Sequence, residues 1–214
     1  MTALTTSIQA HTNTTNDMIE TEQFAVKKTP VKKLTSKEIF QKKHGLYEDK
    51  NHFLVAVTTP LFERNNAEIW SDLLPGISDM GFQMVLRANA SPEYKDIMEA
   101  FTEDHVGLCS LVSEDEFEDI YDAADVLVTF SEENETQDAV EKALSKGVIP
   151  ILANDFPLSH IENYNPNLEN GNAFVYHKKS VWSIFAALVR AYENYRFPYD
   201  WKNICKAAVK SSKK

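Results

Sequence analysis

The chain has 214 residues, 43% of them hydrophobic and 25% charged, enough to bury the core of one domain with an appendage. Its formal net charge of −10 argues against nucleic acid as a partner, because phosphate contacts need clustered Lys and Arg. No apolar run approaches the roughly 18 residues that cross a bilayer, so no membrane partner is expected.

Residues 1–33 are polar, without apolar periodicity, and are read as a disordered tail or linker ahead of a domain over 34–214. The first sixteen residues lack the basic start and apolar stretch of a secretory signal. They are Ser/Thr-rich and acid-poor but contain no Arg, a faint transit-peptide pattern at most. The two cysteines, Cys109 and Cys205, belong to no metal-type cluster and fit reduced, buried thiols of a cytoplasmic protein.

From Leu34 onward the pattern changes. Thr35 or Ser36 caps a short helix through Lys43 that Gly45 ends. Apolar runs of strand length follow at 53–57, 83–86, 106–111, 126–130 and 148–152. Between them lie helical spacings at 67–74, 92–101, 114–121 and 136–146. A strand at 173–176 precedes two helices, 180–195 and 199–209, divided at Pro198. Doubly buried strands alternating with helices give an α/β fold, a three-layer Rossmann-like parallel sheet with C-terminal helices. Its ligand site belongs at the strands' carboxyl ends.

The segment from Leu34 to Leu46, the run Ala123-Ala-Asp-Val-Leu-Val-Thr-Phe-Ser131, the Gly147-Val-Ile-Pro-Ile151 strand and the Gly171-Asn-Ala-Phe-Val-Tyr176 strand stand in one order, followed by Trp182, Arg190, Arg196, Pro198 and Trp201. In that order and spacing they resemble the C-terminal half of bacterial glycogen and starch synthases, over about four-fifths of the chain. The resemblance implies the C-terminal domain of a GT-B fold, in which this half holds a nucleotide-sugar donor and a separate N-terminal domain completes the cleft.

Glucosyl transfer from such a donor needs cations and backbone N–H groups aimed at the diphosphate. The positions the resemblance assigns to donor binding are Thr59, Arg64, Ala88, Asn134, Thr136, Gln137 and Asp138. Thr59 stands where the family has Arg, and Arg64 where it has Lys. Ala88-Asn-Ala90, preceded by Arg87, replaces a G-x-G turn, and alanine disfavours the positive φ such a turn uses. Arg87 could stand in for the lost cation or sit in a surface ion pair. The family's E-P-x-G-L has become Asn134-Glu-Thr-Gln-Asp138, with Glu132, Glu133, Glu135 and Asp138 around one helix start. Asp155 occupies another small turn. Acids there stabilise the helix through its dipole. A few charges at about 5–8 Å also oppose an anionic ligand by several kcal/mol, unless Mg²⁺ offsets them.

His105, His160 and His177 are scattered, so no metal is expected, and no cofactor. Ser110, Ser113 and Ser131 lack a nucleophile elbow. Trp182, Phe185, Tyr192, Tyr195 and Trp201 recur at helical spacing and are expected to pack and dock helices. Three readings follow. The chain is a glycosyltransferase-like domain, inactive alone, that binds or regulates through a protein partner and holds nucleotide sugar weakly if at all. Alternatively it is half of a split glucosyltransferase using ADP-glucose or UDP-glucose, completed by an N-terminal-domain protein. The third is a decaying gene product.

Overall fold

The apolar runs assemble into one parallel sheet. The computed structural model describes residues 34–58, 64–87, 92–130 and 134–213, without the side chains of Arg64, Asn65, Ala67, Glu93, Asn134 and Glu135; the expected tail lies outside the described residues. Six strands, β1 (Leu54–Val57), β2 (Gln83–Arg87), β3 (Cys109–Val112), β4 (Val126–Val128), β5 (Ile149–Ala153) and β6 (Phe174–Tyr176), lie in the order β3-β2-β1-β4-β5-β6. Every pairing is parallel. The central strands β1 and β4 are buried at every residue, as a sheet covered by helices on both faces requires.

The helices are α1 (Ser36–Lys43), α2 (Arg64–Asp79), α3 (Pro92–Asp104), α4 (Glu114–Phe117), α5 (Asn134–Lys146), α6 (Val181–Tyr195) and α7 (Pro198–Ser211). Helix α1 opens with a capping box between Thr35 and Glu38, and Gly45 follows it at φ +70°. Helix α7 starts at Pro198, where the missing N–H costs nothing. No helix among the described residues is long and apolar enough to cross a membrane.

Several expected boundaries move, three of them for a clear local reason. Helix α2 runs through Pro75 to Asp79 rather than stopping at residue 74; Pro75 and Ser71, whose carbonyl it cannot bond, are both exposed, so water can take the lost hydrogen bond. The strand expected from residue 106 begins at Cys109, because Gly107 at φ +83° turns the chain and the His105 carbonyl accepts from the Leu108 and Cys109 N–H groups. The helix expected over 114–121 is a single α turn continued as a 3₁₀ turn, Glu118–Asp122.

Two polar devices fix α1 and the sheet's amino end. Gln41 and Gln83 are fully buried. The Gln41 amide donates to Gln83 Oε1 at 2.6 Å and to the Asp49 carbonyl at 2.8 Å, and the Gln83 amide donates to the Tyr47 carbonyl at 2.7 Å. Each buried amide thus has partners, as burial demands. The acid-rich stretch from Glu114 draws bases from elsewhere: Lys37 pairs with Asp125, Lys43 with Asp119, Lys142 with Glu118 and Lys146 with Asp122. Its charge is used to dock α1 and α5.

Burial pushes both thiols, Cys109 and Cys205, up to about 12. Only the thiolate alkylates. Iodoacetamide at about pH 8 is therefore expected to leave both unmodified in the folded chain and to modify both in denaturant, read by intact mass.

Candidate ligand crevice

The strand order reverses between β1 and β4, and in such sheets the ligand crevice opens beyond the carboxyl ends at that point. Thr58 follows β1 and donates its N–H to the Val128 carbonyl at 3.3 Å. Thr129 and Phe130 follow β4, and the Tyr176 hydroxyl, from β6, donates to the Thr129 carbonyl at 3.0 Å. Trp70 of α2 stacks on Phe130 with ring centroids 5.0 Å apart. This floor is largely aromatic. Among the described residues, two of its polar atoms, Thr58 Oγ1 and Trp70 Nε1, are buried without a hydrogen-bond partner.

The seven positions expected to bind a donor are described unevenly. Thr59 and Ala88 lie outside the described residues. Arg64 and Asn134 are the first residues of α2 and α5, their side chains undescribed. Thr136 is buried in the first turn of α5, Gln137 is half-buried, and Asp138 is exposed. Asp155 is exposed in the turn after β5. Asp138 lines a cleft of about 320 Å³ that it shares with Arg87, Glu114, Glu118, Tyr121 and Lys142.

That cleft settles what Arg87 does. Its Nε and Nη2 donate in a fork to the two carboxylate oxygens of Glu114, the geometry in which a guanidinium binds a carboxylate most strongly. Lys142 pairs with Glu118 and lies 4.9 Å from the Tyr121 ring centroid. The Tyr121 hydroxyl is held above its ordinary value mainly by burial, so it stays neutral. Asp138 has no ion-pair partner among the described residues. The cleft thus sets three carboxylates against two bases, both engaged.

Lys142 and Glu114, which line this cleft, are not among the candidates read from the sequence. Lys142 had a signal: it is the first base after the acid-rich run and stands one helical turn past Asp138. Glu114 had none, since its place opposite Arg87 depends on the β2–β3 register, in which Arg87 aligns with Val112.

No family model matches the chain. Solved structures do. The catalytic domain of starch synthase IV from Arabidopsis thaliana, bound to ADP and acarbose, superposes with a TM-score of 0.62 at 19% identity, over 81% of this chain and 38% of that one. The C-terminal domain of the group 1 glycosyl transferase LpcC from Francisella tularensis gives 0.58 at 14% identity, over 85% and 92%. WaaG, a glycosyltransferase of lipopolysaccharide biosynthesis, gives 0.57 at 17%, over 83% and 47%. The fold is that of a GT-B C-terminal domain. The chain spans well under half the length of the starch synthase domain it matches. In this GT-B-like frame the carboxyl ends of β1 and β4 form the crevice, and the Arg87–Glu114 cleft flanks it on the β2–β3 side.

Proposed function

We propose that this chain is a glycosyltransferase-like domain that does not hold a nucleotide-sugar donor by itself and acts as a binding or regulatory module for a protein partner. The engaged state of Arg87 carries this reading. A diphosphate arriving at the flanking cleft must displace Glu114 from a forked pair and approach Asp138, an exposed carboxylate at the start of α5. Like charges at close range oppose that, the more strongly as the incoming ligand excludes water from between them. Isothermal titration of the full chain with ADP-glucose and with UDP-glucose is expected to give no heat up to millimolar ligand, with or without Mg²⁺.

A second reading, half of a split glucosyltransferase, draws support from Thr58 Oγ1 and Trp70 Nε1, buried atoms at the crevice floor that lack partners among the described residues and that a bound ligand could satisfy. Micromolar affinity lost in Arg64→Ala would establish that reading and sink the first.

A further inference from the structure

Among the described residues, packing explains Trp182 least of all the large side chains. The sequence pattern assigns it to helix docking along with Phe185, Tyr192, Tyr195 and Trp201. Those four do pack against the core, whereas Trp182 is 80% exposed. The reason is phase: α6 buries Ile184, Ala187, Leu188 and Ala191, and residue 182 lies off that stripe. An indole standing in water forgoes a large apolar burial, and exposed aromatics beside apolar hollows mark contact sites.

Such a hollow lies next to it. A cleft of about 400 Å³ opens between α2 and α6, lined by Leu73, Gly76, Val181 and Phe185, with Trp182 itself as part of its wall. Gly76 keeps the floor low, since a Cβ there would come within 3.3 Å of the Phe185 ring. Asp72 borders the cleft and is exposed. Lys178 and Lys179, also exposed, stand on the turn leading into α6. None of these three charges has an ion-pair partner among the described residues. One face therefore presents an aromatic knob, an apolar hole, an acid and two bases. That is the self-complementary set a two-fold contact uses, in which one patch meets its own copy.

We propose that the α2/α6 face is a homodimer contact in which Trp182 of each copy enters the cleft of the other and Asp72 meets Lys178 and Lys179 across the axis. Two indoles at about 150–250 Å² each supply part of the roughly 800 Å² per partner of a standard interface, so the association is reversible and concentration-dependent.

Sedimentation velocity on the full chain, from about 1 µM to several hundred micromolar, tests it. The wild type is expected to pass from monomer to dimer. Trp182→Glu, which places an acid in the first turn of a helix and suits its dipole, is expected to keep the melting temperature and weaken the dimer at least ~30-fold, the effect of losing a central anchor. Asp72→Lys alone, and Lys178→Glu with Lys179→Glu, are each expected to weaken it, and all three together to restore it. A wild type that stays monomeric overturns the proposal. So does a Trp182→Glu dimer as tight as the wild type, or a charge reversal that fails to rescue.

Discussion

Replacing Lys37 by Met is expected to destabilise the fold by about 3–5 kcal/mol, the cost of leaving a buried charge without its partner. Lys37 Nζ lies 2.5 Å from Asp125 Oδ2, and the two side chains keep only 10% and 14% of their surface exposed. The same Oδ2 accepts the Leu54 N–H at 2.8 Å, so one carboxylate ties α1 to the amino ends of β1 and β4. Lys37 also reaches the Tyr195 hydroxyl at 3.3 Å, whose own ionisation is pushed up, by burial first and by the Asp125 charge next. Burial raises the Asp125 carboxyl above its ordinary value, and the Lys37 charge and hydrogen bond and the Leu54 N–H hold that rise in check.

A carboxyl whose folded value lies above its unfolded one weakens the fold as pH climbs past the unfolded value and the group must ionise in place. Without Lys37 the rise is larger. The deficit of Lys37→Met relative to the wild type should therefore be larger at neutral pH and shrink as pH falls toward the ordinary carboxylate range, about pH 4, in urea denaturation followed by tryptophan fluorescence. Adding Asp125→Asn removes the stranded charge and should recover part of the loss. A double variant as unstable as Lys37→Met would falsify this account.

The sheet was legible because its strands are compact apolar runs covered on both faces, and runs such as Val55-Ala-Val57 and Val126-Leu-Val128 leave no polar side to confuse the period. The errors arose where one residue type serves two purposes. Val106 reads as the start of a strand yet sits 70% exposed on the turn that Gly107 makes. Pro75 reads as a helix stop, but on the solvent side of α2 it is tolerated. Trp182 shares the spacing of a docking face while lying off the stripe that Ile184, Ala187, Leu188 and Ala191 define, and that stripe was present in the sequence for the reading.

The crevice was less legible than the sheet. Acids at the start of α5 could be recognised in the sequence, because a helix start declares itself locally. The neutralisation of Arg87 could not, because its partner lies 27 residues away and meets it only through strand register. Contacts made across a sheet carry no local signature.

Gly171→Ala is expected to cost about 3 kcal/mol or more, and the loop it closes explains why. Residues 161–173 fold back against β6: the Tyr164 N–H donates to the Ala173 carbonyl at 2.8 Å, and Asn165 and Asn170 pair with each other. Asn172 donates to the His160 carbonyl at 2.9 Å and to Ser211 Oγ at 2.8 Å, while Asn163 Oδ1 accepts the Val175 N–H at 2.9 Å. Gly171 adopts φ +113°, where side chains are strained by about 1–3 kcal/mol. A Cβ there would also stand 2.5 Å from Tyr164 Cα and 2.7 Å from the Asn163 oxygen. Both are backbone atoms, so no rotamer relieves the overlap, and the loop must leave β6 to admit the methyl group. Gly81 separates the two costs: it has φ +68° with nothing within 4 Å of its would-be Cβ, so Gly81→Ala should lose only the roughly 1–2 kcal/mol of left-handed backbone strain. Denaturation midpoints for the two variants side by side measure the difference. Equal losses would mean that the loop does not press on Gly171, and that β6, which carries Tyr176 to the crevice floor, is held by its ladder alone.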